Sequence, residues 1–231
     1  MRTLIYVPII HTSIDLGSMA EDVSQKSIAN LGEDLWTKHR KTIENFWDSI
    51  SNYFDSTDVR GMKIYQDGMV GEAEVGQTIV ENTAKAGSKN YQLVSKLLER
   101  GAELIKTEDF KLVKQEYDAL LAITQANSII RKIIAFIKYK LVKTALLRKR
   151  DVFISTRIDQ TLKPGEKAIL FIGAYHTIKE RLPEDIQVKE IKDVNKVRRY
   201  HKLLPFYNRN KNEFNELSNY LTSEIVVFPS E

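Results

Sequence analysis

The chain has 231 residues, of which 42% are hydrophobic and 29% charged, a composition typical of a globular protein with a sizeable core. It has no cysteine, which excludes disulfides, thiolate metal sites and cysteine catalysis and fits a reducing compartment. The net charge is only +4, and the sequence shows neither a run of about 18 apolar residues nor the features of a signal peptide. We therefore expect a cytoplasmic protein without a transmembrane segment.

The first half of the chain alternates short apolar runs with amphipathic stretches. Residues 4–10 are continuously apolar, which predicts a buried strand. Helical spacing of apolar residues, preceded by Ser18 and Glu21 at capping-box spacing, predicts that much of 19–54 is helical. The later elements of this half are a strand over 62–66, a glycine-bearing loop over 67–76, helices over 77–86 and 89–100, and a strand over 102–106.

The second half opens with a helical pattern that contains no proline or glycine from residue 107 to about residue 161. One helix of that length would reach roughly 80 Å, so we expect a break or a protruding hairpin within 107–162. Further elements are predicted in chain order: a strand over 168–174, a strand over 186–191, and helices over 194–203 and 210–222.

Strands separated by helices predict an α/β fold, with a mainly parallel sheet flanked by helices and a long helical excursion between the third and fourth strands. No linker or repeat divides the chain, so we expect residues 1–231 to form a single domain.

Two of the four histidines follow predicted strands. His11 ends the first apolar run, and His176 ends the most apolar run of the chain. Ligands of open α/β sheets bind beyond the carboxyl ends of the strands, so these histidines are candidate metal ligands or general bases, although either also suits a loop. Asp15 is placed to orient His11 or to share a metal with it, or else to form a turn before Gly17.

Charged residues near the other strand ends are further candidates. Glu72 and Glu74 lie in the glycine-bearing loop, where Gly71 and Gly76 would let the backbone approach a ligand. Glu108 follows the third predicted strand, although a favourable interaction with a helix dipole also explains a carboxylate there.

Arg150 and Arg157 precede the strand over 168–174. Arg150 is a candidate for holding an oxyanion or a substrate anion, and Arg157 a candidate binding residue. The alternative for each is a place on a charged helix face.

A basic amphipathic segment covers residues 131–150, with eight basic residues and no acidic one. Such a segment suits a nucleic-acid backbone, an anionic membrane surface or a protein partner. Its isoleucine and leucine content instead favours a helix packed on the core. With that content and the small net charge, we do not expect nucleic-acid binding.

The ends of the chain resemble the TraB/Tiki-like family of the erythromycin-esterase/ChaN-like superfamily. The resemblance rests on Arg150–Asp151 followed by an apolar strand that ends Gly173–His176, and on Pro8–His11, where proline replaces the first glycine of a G-x-x-H motif. The middle of the chain matches poorly. The resemblance implies an α/β fold and, for some members, metal-dependent protease or esterase chemistry.

That family usually places a glutamate on or after its second strand. Here the corresponding segment is Tyr65–Gly68, so Asp67, Glu72 and Glu74 all remain candidates for the acidic partner, with Glu72 expected nearer the histidines than Glu108.

The leading hypothesis is a metal-dependent hydrolase for peptide or ester bonds. His11 and His176 would bind a divalent metal of unknown identity, which would activate water by lowering its pKa. The expected partner is a small-molecule or peptide substrate, and a homo-oligomer is compatible with the sequence. The alternative is a non-catalytic binding or regulatory protein that uses 131–150.

Overall fold

A computed structural model describes residues 1–10, 25 and 28–225, except for the side chain of residue 129. Five parallel strands form one sheet in this part of the chain, in the order β3-β2-β4-β1-β5. The strands are β1 (Arg2–Ile9), β2 (Lys63–Gln66), β3 (Glu103–Ile105), β4 (Lys167–Gly173) and β5 (Ile186–Glu190). The predicted α/β fold with a mainly parallel sheet is confirmed.

Seven α-helices are described. They are α1 (Glu33–Asp55), α2 (Ala73–Lys85), α3 (Lys89–Glu99), α4 (Phe110–Thr124), α5 (Ile129–Thr161), α6 (Val194–Leu203) and α7 (Lys211–Thr222). Short 3-10 helices cover Ile178–Arg181 and Leu204–Arg209. Helix α2 begins four residues earlier than the sequence predicted, which shortens the glycine-bearing loop before it. The Ser18–Glu21 capping box lies outside the described residues.

The central strands are apolar on both faces because helices cover both. Side chains alternate along a strand, so Leu4 and Tyr6 of β1 point to one face of the sheet while Ile5, Val7 and Ile9 point to the other. All five are buried. Continuous apolar runs are typical of such doubly covered parallel strands, which explains why β1 and β4 were the clearest strand predictions.

One face of the sheet packs against α1, α3, α6 and α7. Trp47 and Phe54 of α1 lie over Phe171 of β4, with ring centroids 6.5 and 6.0 Å away. Burying large aromatic side chains contributes about 1.5–3 kcal/mol each to folding, so this layer carries much of the hydrophobic stabilisation. It also holds β4, whose carboxyl end leads to His176.

The opposite face packs against the carboxyl-terminal part of α5. Ile154, Ile158 and Leu162 are almost fully buried there. The Tyr65 hydroxyl and the Thr161 hydroxyl form a 2.7 Å hydrogen bond between β2 and α5. Residues 150–162 therefore lie close to the sheet, and they bring Arg150 and Asp151 to its edge.

The excursion between β3 and β4 is a helical hairpin of α4 and α5, with the expected break at residues 125–128. Its 33-residue second helix is about 50 Å long. The expectation that this basic segment packs on the core is wrong for its first half, because Ile130 is 71% exposed and Leu141 76% exposed. Helix α4 has no buried residue, so it does not supply a core for that half.

Within the described ranges, no helix is both long enough and apolar enough to cross a membrane.

Candidate functional site

Charged side chains from four parts of the fold meet at the carboxyl edge of the sheet. Asp67 directly follows β2, Glu108 follows β3, His176 follows β4, and α5 supplies Arg150 and Asp151. The carboxyl ends of parallel strands lie on one edge of the sheet, and the carboxyl-terminal part of α5 crosses that edge. All five residues are buried, with at most 8% of their surface exposed.

Arg150 is the centre of this cluster. Its Nε donates to Glu108 Oε2 at 3.0 Å, and its Nη2 donates to Asp67 Oδ1 at 2.7 Å. Further hydrogen bonds run from Nη2 to Glu108 Oε1 and from Nη1 to Glu116 of α4. Burial alone would lower the pKa of Arg150, but its carboxylate partners raise it above the ordinary value, so the guanidinium stays charged.

Asp67 links the end of β2 to helix α5 and to strand β4, one through each carboxylate oxygen. Oδ1 accepts from Arg150, and Oδ2 accepts from the backbone N–H of Gly173 at 3.0 Å. The end of β2 is thereby fixed to the end of β4, its neighbour in the sheet. This contact sets the position of the Asp67 carboxylate relative to the turn that carries His176.

His176 is oriented by Asp151. Its Nδ1 lies 2.5 Å from Asp151 Oδ1, and the other oxygen of that carboxylate accepts from the Thr177 backbone N–H at 3.0 Å and hydroxyl at 2.9 Å. Burial raises the pKa of Asp151, but the hydrogen bonds from His176 and Thr177 outweigh this and keep the pKa below its ordinary value. An ionised Asp151 accepts the Nδ1–H and leaves Nε2 facing Asp67 Oδ2 at 3.8 Å.

Burial and charge act in opposite directions on His176. Burial is the largest single influence and lowers the pKa, whereas the negative charge of Asp67 and the hydrogen bond to Asp151 raise it. The net effect is a pKa above the ordinary histidine value. Glu108 also has a raised pKa, chiefly because of its burial and despite its hydrogen bonds to Arg150.

Carboxyl groups outnumber cations in this cluster. Asp67, Glu108, Glu116 and Asp151 surround a single arginine and a single histidine. A site of this charge attracts a further positive charge, either a proton on His176 or a bound metal cation.

The atoms that face each other across the site also suit a divalent metal. A zinc ion binds imidazole nitrogen and carboxylate oxygen at about 2.0–2.2 Å, which allows His176 Nε2 and Asp67 Oδ2, 3.8 Å apart, to share one ion. The hydrogen bond from Nδ1 to Asp151 is the arrangement that commonly orients a metal-binding histidine. Among the residues described here, no group of three or more acidic or histidine side chains has the geometry of a metal site.

Other predicted site residues either fall outside the described residues or are not part of this cluster. His11 and Asp15 are outside the described residues. Glu72 is exposed and pairs with Arg157 at 3.5 Å, while Arg157 Nε donates to the Lys106 carbonyl at 3.3 Å. We expected Glu72 to approach the histidines more closely than Glu108, and this stays a prediction. Glu108 contacts Arg150, and the charge of His176 acts to lower the pKa of Glu108.

The glycines beside Glu72 contact each other. A Cβ on Gly71 would lie 2.8 Å from the backbone nitrogen of Gly76, too close for any side chain. Their close approach serves the packing of this loop against the start of α2, whereas the sequence suggested an approach to a ligand. Glu74 lies within the first turn of the same helix.

Sequence reasoning gave no role to Asp151, Glu116 or Thr177. The signal for Asp151 was available, because it stands beside Arg150 in the motif that carries the family resemblance. Glu116 lies on a helix that has no buried residue, and nothing in its local sequence indicates that it reaches Arg150. Contacts of that kind depend on how the hairpin meets the sheet.

In comparisons with protein-family models, with curated proteins and with solved structures, no significant match to this chain was found. The TraB/Tiki-like resemblance stays a prediction from the sequence.

Proposed function

We propose that this protein is a cytoplasmic hydrolase of peptide or ester bonds in which His176 transfers the proton. The observation that carries the proposal is the geometry of His176: Asp151 holds its Nδ1 at 2.5 Å, and its Nε2 faces the Asp67 carboxylate across a 3.8 Å gap. A buried, oriented imidazole at the carboxyl edge of a parallel sheet is suited to acid–base catalysis.

His176 would take a proton from water at Nε2 when it is neutral. A water oxygen within hydrogen-bond distance of both Nε2 and Asp67 Oδ2 fits a gap of that size. Asp151 keeps the second ring proton on Nδ1 and stabilises the imidazolium once the proton has moved. The same proton is then available for the leaving group of a small-molecule or peptide substrate.

Arg150 would position the carboxylates. Its Nε, Nη1 and Nη2 all donate to carboxylates, so the guanidinium is poorly placed to receive a substrate anion. We assign it the task of fixing Asp67 and Glu108, in place of the oxyanion-binding role suggested by the sequence. Arg157, paired with the exposed Glu72, keeps its place as a candidate for substrate binding at the rim.

A divalent metal is the second occupant proposed for the same gap, since a metal on Nε2 would exclude proton transfer at that atom. His176 Nε2 and Asp67 Oδ2 would hold it, and His11 is the further ligand expected from the sequence. The metal would supply a bound water of lowered pKa. Because metal and proton compete for Nε2, the raised pKa of His176 implies weaker metal binding in acid.

The test is hydrolysis of p-nitrophenyl acetate and of a fluorogenic peptide mixture, with and without zinc after treatment with EDTA. We expect His176→Gln to lower kcat/KM by roughly 10²–10⁴-fold. His201→Gln is the matched control, because His201 is exposed on α6 and should leave the rate unchanged. Equal rates for the wild type and His176→Gln would refute the proposal.

The assay after EDTA treatment distinguishes a metal-dependent reaction from acid–base catalysis by His176 alone. Activity that survives EDTA yet is lost in His176→Gln would retain the acid–base role and remove the metal. Calorimetric titration with zinc provides the direct measurement, in which His176→Gln and Asp67→Asn are expected to abolish binding. Glu108→Gln is expected to reduce activity more than Glu72→Gln, since Glu108 is buried against Arg150 and Glu72 is exposed.

A further inference from the structure

The first half of α5 has an apolar stripe on its exposed side. Five side chains recur at helical spacing and are all at least 49% exposed: Ile130, Ile133, Ile134, Ile137 and Leu141. Ala135, Tyr139 and Leu146 are more buried and mark the opposite, covered side, counting about 100° per residue. The stripe therefore faces away from α4 and from the core of the described structure.

Basic residues border this apolar stripe on both sides. Arg131 and Lys138 lie on one flank and Lys140 on the other, by the same count, while Lys143 lies further round the helix, beside Tyr139. We call these four residues the basic flanks. Lys140 and Lys143 extend along the helix over the rings of Phe136 and Tyr139, at 5.1 and 5.6 Å from the centroids.

We propose that the apolar stripe and basic flanks of α5 dock the protein on an anionic lipid bilayer. The stripe would enter the boundary between headgroups and acyl chains, with the helix lying in the plane of the surface. The long basic side chains would reach out to the anionic headgroups on both sides of it. The charge of the flanks is what selects this occupant.

Other occupants satisfy only part of this surface. Two copies joined stripe to stripe would bring their basic flanks together, because residues 131–150 contain no acidic side chain. A nucleic acid would pair with the lysines but leave the isoleucines in water. A bilayer with anionic headgroups accommodates both the apolar and the cationic side chains, and the inference does not depend on the chemistry of His176.

The experiment is cosedimentation of the full chain with vesicles at low salt. One set of vesicles is phosphatidylcholine alone, and in the other about a third of the lipid is phosphatidylglycerol. We expect binding to the anionic vesicles, weakened by added salt, and little binding to the neutral ones. No binding to anionic vesicles at low salt would overturn the proposal.

Two variants with matched controls test the flanks and the stripe separately. Lys138→Gln with Lys140→Gln and Lys143→Gln should weaken binding on the order of a hundredfold. Its control has the same change in charge at exposed lysines elsewhere, Lys41→Gln with Lys85→Gln and Lys202→Gln, and should bind as the wild type does.

For the apolar stripe, Ile137→Gln with Leu141→Gln should weaken vesicle binding by roughly tenfold or more. The control replaces similarly exposed apolar residues outside the hairpin, Val75→Gln with Phe206→Gln. Equal losses in both pairs would contradict a specific docking surface.

The competing occupants give distinct results. If the protein does not bind vesicles but forms a dimer, and the double variant Ile137→Gln with Leu141→Gln is monomeric, the stripe would be assigned to a second copy. If the protein binds duplex DNA in a salt-sensitive way, and this binding is lost in the triple lysine variant but kept in the Ile137→Gln with Leu141→Gln variant, the segment would be assigned to nucleic acid. Either result overturns membrane docking.

Discussion

Asp151 and His176 are separated by 25 positions in the chain and joined by a 2.5 Å contact between Oδ1 and Nδ1. The contact connects the middle of the longest described helix to the turn after β4. It fixes which ring nitrogen faces Asp67, and it belongs to the Arg150–Asp151 motif noted in the sequence.

Replacing Asp151 by asparagine should lower the pKa of His176. The change removes a negative charge and the acceptor that favours the protonated ring, and burial then acts with less opposition. NMR titration of the His176 ring proton measures the shift, with the His201 signal in the same spectra as internal control. We expect hydrolysis to fall by roughly 10²-fold or more. An unchanged His176 pKa would show that Asp151 is not its main hydrogen-bond partner.

Removing the central arginine should destabilise the fold strongly. Arg150→Met leaves the carboxyl groups of Asp67, Glu108 and Glu116 without their shared cation, and breaking a buried pair in this way costs about 3–5 kcal/mol. Urea denaturation gives the free energy of unfolding. Arg157→Met is the matched control on the same helix, and it should cost less than about 1 kcal/mol because its partner Glu72 is exposed. Similar losses for both variants would argue against a special role for the cluster.

His39 and His176 are both buried and should give pH dependences of opposite sign. His39 lies against the Tyr200 hydroxyl at 2.9 Å, and burial, with a smaller effect from His201, lowers its pKa from 6.5 to about 4. The unfolded chain then binds a proton that the folded chain rejects. Stability due to neutral His39, about 3 kcal/mol, is present above the unfolded pKa and lost as the pH falls through the folded value.

His176 has the opposite sign because its folded pKa is raised. Its stabilising contribution is complete below the unfolded pKa and disappears as the pH rises through the folded value. Unfolding measured from about pH 9 to about pH 4 should therefore show a shallower loss of stability below about pH 6.5 in His39→Gln than in the wild type. In His176→Gln, the stabilising contribution that the wild type gains as the pH falls toward about 6.5 should be missing. The same slope in all three proteins would contradict both assignments.

The two halves of α5 should respond differently to the same substitution. Ile158→Ala removes a fully buried side chain that packs on the sheet and should cost about 2–5 kcal/mol. Ile137→Ala, at a site 51% exposed, should change stability by no more than about 0.5 kcal/mol. Thermal or urea unfolding of the two variants checks this, and a large loss in Ile137→Ala would mean that the apolar stripe is covered in solution.

Local patterns were sufficient for most of the fold. The continuous apolar runs of β1 and β4 predicted strands of the sheet, because parallel strands buried on both faces are apolar along their whole length. Glycine and polar turn residues marked the ends of β2 and α3. The exposure of the first half of α5 was predicted wrongly, because local patterns do not determine burial. Its isoleucines have the spacing of a core-packed helix, and spacing alone does not show whether a partner surface is present.

For the site as well, local sequence predicted some residues and tertiary contacts determined the others. Strand-end positions made His176 and Glu108 candidates, and the family resemblance added Asp67. The three lie together because topology brings the carboxyl ends of parallel strands to one edge of the sheet. The expected preference for Glu72 over Glu108 relied on the glycines of the loop, which instead pack against each other. Glu116 could not be found this way, because its contact with Arg150 depends on the tertiary placement of the hairpin.

Helix α5 passes from solvent into the core without an interruption, so its backbone amides should differ widely in hydrogen exchange. Amides of residues 131–145 lie in an exposed helical segment that can open locally, whereas those of 154–161 open only with the sheet. Arg150 is the first residue of the helix held by several buried ionic contacts. Local opening of the hairpin would therefore end at Arg150. Motion of residues 131–145 would then leave the positions of the site residues at the sheet edge unchanged.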